Sequence, residues 1–272
     1  MSQKPTTNVV NINQPGNQPG NQPGNQPGNQ TGKQKRAPGK KPLYQQVDHS
    51  VRQRLIDNVW KPGEAIPSEM QLASELKVSQ GTVRKALNAL VAENLLERRQ
   101  GLGTFVSEHT ERRALFLYFS IVGNDGARLL PESRILRCEE KVASPEEAKK
   151  LELNAGEFVV QFKRIRYFND VASIVETITL PLEHFPGFGT DVEPPNNLFR
   201  FYQSEYGVTI AKAEEHLKAA AATEDEAELL GIAAGTPMLE IDRIAKMLDG
   251  RPVEWRVSHC DTSEYHYVAE RG

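Results

Sequence analysis

The stretch from Ile66 to Val106 constrains this chain more than any other. Ser68 precedes an apolar-periodic run and Gln71 follows three residues later, the spacing of a capping box at a helix start. The helix this predicts is short, buries Leu72 and Leu76, and breaks at Lys77-Val78. Ser79 then caps a second helix running to Glu93, in which Val83, Leu87 and Leu90 recur at helical spacing and form one apolar stripe. Leu95 and Leu96 open a hairpin whose tip is Gln100-Gly-Leu-Gly-Thr104, flanked by Arg98 and Arg99. Gly101 and Gly103 allow that tip a tight turn close to a partner. Two short helices at this spacing followed by a glycine-tipped hairpin predict a winged helix-turn-helix over residues 43–107.

The face opposite the stripe states what such a domain would touch. Gln80, Arg84 and Asn88 stand at i, i+4 and i+8, with Thr82 and Lys85 beside them. An α-helix fits the major groove of duplex DNA, where Arg bridges guanine O6 and N7 and Gln or Asn bridges adenine N6 and N7. Ser68, Ser79 and Thr82, at helix starts, suit phosphate contacts, and Gly81 clears a side chain where the helix meets the DNA backbone. Arg99, Gln100, Gly101, Gly103 and Thr104 complete the candidate DNA-binding set on the wing. The plainer reading is a three-helix domain used for protein contacts; the wing and the polar groove face together count against it.

Charge is divided the same way. Residues 1–107 hold 14 Lys and Arg against 7 Asp and Glu, a balance of +7, and the remaining residues carry −10, giving the overall −3. A basic front and an acidic rear suit a DNA reader joined to a part that avoids DNA. Residues 1–42 are a separate segment. Asn-Gln-Pro-Gly recurs from Asn13, Asn17, Asn21 and Asn25, then appears as Asn29-Gln-Thr-Gly32. A four-residue Pro/Gly period cannot bury apolar surface, so disorder is expected. Lys33, Lys35, Arg36, Lys40 and Lys41 follow, leaving two readings open: a basic arm that adds salt-sensitive DNA affinity, or a solvated tail. No apolar core follows these charges as in a secretion signal, and no stretch approaches the ~20 apolar residues of a membrane span. Cys138 and Cys260 are the only cysteines and lack zinc-finger spacing, so no metal and no cofactor is expected, and a reducing cytoplasm is the expected setting.

The rear half contains an internal repeat. Ser144-Pro-Glu-Glu-Ala-Lys-Lys-Leu lines up, 79 residues on, with Thr223-Glu-Asp-Glu-Ala-Glu-Leu-Leu, and the same offset carries Arg164-Ile165 onto Arg243-Ile244. Each copy predicts a capped short helix, a strand, and a hairpin turning at Asn169-Asp170 or Asp249-Gly250. The expected product is one α+β domain with a pseudo-symmetric antiparallel sheet and a cleft where the halves meet. In Phe158–Phe168 one face carries Phe158, Val160, Phe162, Arg164, Arg166 and Phe168, and in Ala172–Leu180 Glu176 shares a face with Ile174 and Ile178. Charges on apolar faces need partners. A three-residue hairpin loop with a bulge puts Arg164 opposite Glu176, whereas a two-residue loop puts them on opposite faces. Glu254 and Arg256 alternate with Val253, Trp255 and Val257, on the other, more polar face. Two readings of the charges stay open: an internal ion-pair network, or a site for an anionic ligand.

Residues 43–106 resemble the DNA-binding domain of the GntR family of bacterial transcription regulators. The resemblance rests on Pro67-Ser-Glu69, Val78-Ser-x-x-Thr-Val-Arg84 and Gly101-x-Gly-Thr-Phe-Val106. Met70 and Gln80 depart from it, since many members carry Arg at both places. Residues 114–268 resemble the UTRA effector-binding domain that, with the winged domain, defines the HutC subfamily. The matching stretches are Arg164-x-Arg166 with Glu176, Leu198-Phe-x-x-Tyr202, Tyr206-Gly207, Glu226-Ala-x-x-Leu-Gly231 and Asp249-Gly-Arg-Pro-Val-Glu254. The resemblance implies a chorismate-lyase-like fold and a small metabolite, often a phosphosugar or small acid, with Ser133, Arg164, Arg166, Glu176 and Glu254 as the effector-binding positions.

The expectation is therefore an α+β multi-domain chain: a tail over 1–42, a winged domain over 43–107, a polar hinge over 108–113 and a UTRA-like domain over 114–272. It would act as a metabolite-responsive repressor, binding a palindromic operator as a homodimer, with no membrane partner. Two alternatives stand beside it. One is an architectural DNA-binding protein without an effector. The other is an enzyme built on the lyase-like domain, against which no nucleophile–base pair or phosphate-cradling loop is found.

Overall fold

The computed structural model describes residues 41–110, 113, 118–189 and 193–269. The expectation for the repetitive tail lies outside them, except for Lys41 and Pro42. Among the described residues no helix is long and apolar enough to cross a membrane.

Helix α1 spans Leu43–Ile56, α2 Glu69–Leu76 and α3 Gln80–Ala92. Val47, Val51 and Leu55 of α1 meet Leu72 of α2 and Val83, Leu87 and Leu90 of α3 in one core, the last four fully buried. Each such side chain contributes about 1.5–3 kcal/mol of transfer free energy. The Ser68–Gln71 capping box forms as read, and Lys77, at φ 54°, turns the chain out of α2. Ser79 accepts from the Thr82 N–H at the start of α3. Strands β1 (Leu96–Arg99) and β2 (Gly103–Val106) pair antiparallel with Arg99 opposite Gly103, leaving residues 100–102 as the wing tip.

The rear domain is built on a six-stranded antiparallel sheet. Strand β3 (Ile121–Gly123) precedes it, followed by β4 (Glu132–Val142), helix α4 (Pro145–Leu151), β5 (Phe158–Phe168) and β6 (Val171–Pro181). Helix α5 (Leu198–Tyr206) leads to β7 (Ile210–Ala221), α6 (Glu224–Leu230), β8 (Pro237–Met247), β9 (Pro252–Asp261) and β10 (Tyr265–Tyr267). The strand order is β4-β5-β6-β9-β8-β7, with β3 and β10 forming a separate ribbon. This is a duplicated β-α-β-β unit whose copies meet where β6 pairs β9. Both helices of the repeat start with a full capping box, Ser144 with Glu147 and Thr223 with Glu226.

The hairpin loop left open above has two residues, Asn169 and Asp170, both at positive φ, as a tight turn compatible with strand twist requires. Even so, Arg164 lies opposite Glu176, because the register shifts by one between Arg166 and Tyr167 and leaves Ser173 unpaired. The bulge does what a longer loop would have done. It recurs in the second copy between Ala245 and Lys246, 79 residues on from the first.

One face of the sheet carries α4 and α6, with Ile165 and Val175 packing on Ala227 and Leu230. On the other, Phe162 and Ile178 pack beneath α5 with Phe185, Phe188 and Tyr202, while Ile174, Ile241 and Cys260 lie with Ile121 and Tyr265 of the ribbon. Between these two apolar patches lies the charged cluster.

Candidate DNA-binding face and buried charged site

The winged domain presents an open groove of about 760 Å³ between α2, α3 and the wing. Ser68, Gln80, Arg84, Arg99, Gln100, Gly101, Gly103 and Thr104 of the expected set all line it. Ser79, Gly81, Thr82, Lys85 and Asn88 lie on or beside α3 outside that lining, all but Thr82 of them exposed. The side chains are held rather than loose. Glu69, which sequence reasoning did not single out as a site residue, accepts from Arg84 Nε at 2.9 Å, Arg98 Nη2 at 3.0 Å and Gln80 Nε2 at 3.3 Å. The Arg84 hydrogen bond is the main reason its carboxyl lies below the usual range. Arg98 also donates to Asn88 Oδ1 at 2.8 Å. Lys85 stands over the Tyr44 ring and Arg99 over Phe105, each partly fixed by cation–π attraction. Gly81 opens onto free space, with only Ser79 Oγ near a notional Cβ.

Four arginines and three carboxylates converge on the sheet face under α5. Arg164 Nε donates to Glu176 Oε2 at 2.7 Å, and Ser258 Oγ donates to the other Glu176 oxygen at 3.1 Å. Arg256 Nη2 and the Tyr202 hydroxyl both donate to Glu254 Oε2 at 2.8 Å. Arg243 pairs with Glu215 and donates to the Tyr118 carbonyl at 2.6 Å. Arg166 is the least compensated: it reaches Glu176 only at 3.8 Å and donates to the Pro131 carbonyl at 3.2 Å. Ser133 does not line the cavity described below; it pairs with Arg166 across β4 and β5 and donates to Asn196 Oδ1 at 2.7 Å.

The placement of Glu254 corrects the sequence reading. Glu254 is 0% exposed and Arg256 6%, on the same covered face as Arg164 and Glu176. Strand β9 is central and covered on both faces, so the charged side of its alternation is interior and the side with Trp255 only half-buried. Arg243, Arg256 and Tyr202 were missed as site residues. The repeat already pointed to Arg243, because the 79-residue offset lays it on Arg164.

A cavity of about 40 Å³ opens over the cluster, lined by all four arginines, by Asn196, Asn197 and Phe199 at the start of α5, and by Tyr118, Phe119 and Leu130. Among the described residues no carboxylate lines it. Arg166 Nε, Arg256 Nε and Asn197 Nδ2 are buried without a partner among the described residues. Burial alone would raise the Glu176 carboxyl, but the charges of Arg164, Arg256 and Arg166 hold it well below the ordinary range. Burial, then the Arg164 charge, pull Arg166 below the usual guanidinium value; for Arg256 the Glu254 and Glu176 charges outweigh burial and push it up. The arrangement is a floor of four guanidiniums held in place by their carboxylate and carbonyl partners.

The polar hinge expected over 108–113 is described only at 108–110 and 113, and within it His109 is held in place. His109 is 4% exposed, edge-on to the rings of Tyr118 and Phe199. Its ring Nε2 accepts from the Ile210 N–H at 3.2 Å, and its backbone N–H donates to Gln203 Oε1 at 2.9 Å. Gln203 Nε2 in turn donates to the Ser107 carbonyl. Helix α5 therefore touches the cavity at its first turn and grips the interdomain segment one turn later.

Fold and sites together define a winged helix-turn-helix regulator with a separate ligand-binding domain. Residues 43–106 match the gntR family of bacterial regulatory proteins and residues 127–266 the UTRA domain; the chain belongs to the gntR family, in its UTRA-containing branch. It is 30% identical over 236 residues to the mannosyl-D-glycerate transport/metabolism system repressor of Escherichia coli, covering 86% of this chain and 98% of that one. It is 30% identical to the histidine utilization repressor of Pseudomonas putida, over 75% and 82% of the two chains. Among solved structures, the ligand-binding domain of a regulator assigned to the GntR family from Bordetella bronchiseptica matches at 35% identity and TM-score 0.53, over 56% of this chain and 96% of that one. These relatives are transcription regulators, which sets aside the reading of the rear domain as an enzyme.

Proposed function

We propose that this chain is a homodimeric, cytoplasmic repressor whose operator affinity is set by an anionic metabolite bound at the buried arginines. The observation that carries this is the cavity lining: among the described residues, four guanidiniums, two with an unpartnered Nε, and no carboxylate. A purely structural network would close on itself; here Arg166 Nε, Arg256 Nε and Asn197 Nδ2, all of residues that line the cavity, are buried without a partner among the described residues, as is Glu254 Oε1 behind them. The relatives named for mannosyl-D-glycerate and for histidine utilization concern compounds that carry a carboxylate, and a carboxylate or phosphate matches a guanidinium fork.

Coupling to DNA follows from size. About 40 Å³ is room for one or two waters, so a metabolite must part the 118–130 segment from the start of α5. Both walls touch His109, and α5 also holds Ser107 through Gln203. Moving them shifts the footing of the winged domain. In a dimer, two recognition helices must match half-sites ~34 Å apart, and a differential affinity of ~1–3 kcal/mol between two arrangements is enough to regulate.

The test is thermal unfolding of the intact chain against phosphosugars and small carboxylic acids, with gel-shift titration of any hit on operator DNA. A ligand at 100 times its Kd stabilises by about 2.7 kcal/mol, and the Arg166→Met variant should lose that response. Absence of any anionic hit would return the cluster to a structural role.

A further inference from the structure

Gln80 and Arg84 present hydrogen-bonding groups to DNA, but the groove they line is not wholly polar. Met70 and Leu102 are each 72% exposed, the two most exposed large apolar side chains among the described residues, and both line this groove. Neither packs against the winged-domain core, whose stripes are complete without them. Met70 follows Glu69, the carboxylate that holds Gln80, Arg84 and Arg98, so its Cα is fixed one residue from the hub of the base-reading face. A cation in this place would take a phosphate. A thioether gains nothing from phosphate, and leaving it in water serves no fold.

In the major groove the one apolar group that a base pair offers is the C5-methyl of thymine. We propose that Met70 reads the C5-methyl of a thymine in each operator half-site, a specificity contact distinct from the bases faced by Gln80 and Arg84. Methionine suits the task because its unbranched, polarizable chain adapts to a small apolar target. Leu102 has a different partner. It sits at the wing tip between Gly101 and Gly103, and a wing enters the minor groove or lies on the backbone, where no methyl is displayed. The inference rests on the family assignment of residues 43–106 as the DNA reader.

The experiment selects the preferred duplex from random DNA with the intact chain, then replaces each thymine singly by deoxyuridine, which removes only the methyl. Affinities are measured for wild type, Met70→Ala, Met70→Leu and Leu102→Ala. Burial of one methyl-sized group predicts about fourfold weaker binding of wild type at one thymine per half-site. That difference should vanish in Met70→Ala and persist in Met70→Leu, while Leu102→Ala weakens all duplexes alike. A methyl effect at every position that is indifferent to residue 70, or no methyl effect at all, overturns the proposal and leaves the DNA-reader assignment standing. Failure to select any sequence overturns both.

Discussion

His109 makes the anchored interdomain segment sensitive to acid, by an amount the structure allows to be worked out. Burial, then the nearby Arg113 charge, lower its imidazole from the ordinary 6.5 to about 4. Its Nε2 accepts from the Ile210 N–H, a role open only to the neutral ring. In the unfolded chain the imidazole returns to about 6.5, so the unfolded state takes up a proton that the folded state refuses. The corresponding stability is fully present above pH 6.5 and is lost as pH falls from there towards 4. At pH 5 the loss is about 2 kcal/mol relative to pH 8, from the ratio of the two binding polynomials. The perturbation is His109→Gln, which keeps a side-chain acceptor and removes the titration. The assay is urea unfolding of both proteins at pH 8, 7, 6 and 5. The wild type should lose about 2 kcal/mol more than the variant between the ends of that series, whatever the variant's stability at pH 8. Parallel curves for the two proteins would refute the reasoning, because every other titrating group is common to both.

Glu176→Gln would leave Arg164, Arg166 and Arg256 facing one another with one fewer negative charge, and should cost about 3–5 kcal/mol in urea unfolding at pH 7. Because the fold holds the Glu176 carboxyl well below 4.5, its share of stability is present above pH 4.5 and lost as pH falls through the folded value; the variant should lack that acid-dependent share. Glu69→Ala would release Arg84, Arg98 and Gln80 and remove a negative charge from the DNA face. Affinity for non-specific DNA should rise while the ratio of specific to non-specific affinity falls, a pattern read from paired titrations on operator and scrambled duplexes at fixed salt.

The winged domain was almost fully legible because its determinants are local. A serine with a glutamine three residues on, a stripe at helical spacing and a two-glycine wing each need only a few neighbouring residues to act. The charged site was legible in part, at Arg164, Arg166, Glu176 and Glu254, but not in its partners or in Arg243 and Arg256. Arg164 meets Glu176 through a bulge at Ser173, and nothing in Ala172-Ser-Ile marks that residue as the one to be skipped. Alternation also misled at Glu254, since it separates the two faces of a strand without saying which of them a neighbouring helix will cover. The hinge shows the same limit. His109 lies in a polar stretch, and only the rings of Tyr118 and Phe199, distant from each other in sequence, make its place an interior one.

The duplication explains why a cationic cavity exists here at all. In the first copy the cross-strand pair is Arg164 with Glu176, a neutral combination. At the corresponding place in the second copy, across β8 and β9, Arg243 faces Arg256. Where the first copy has a carboxylate, the second has another guanidinium, and like charges placed directly opposite destabilise a sheet unless others intervene. The second copy recruits its carboxylates from the flanks instead: Glu215 from the edge strand β7 and Glu254 from two residues along β9. Those carboxylates neutralise the arginines from beside and behind, so none of the three lines the cavity. A symmetric pair of Arg–Glu bridges would have closed both halves with nothing left over. An arginine standing where the other copy has a carboxylate leaves guanidiniums in excess beside the seam between the two repeats. The strand order thus follows the symmetry of the repeat, while the excess of guanidiniums over the cavity arises where the cross-strand pairs of the two copies differ.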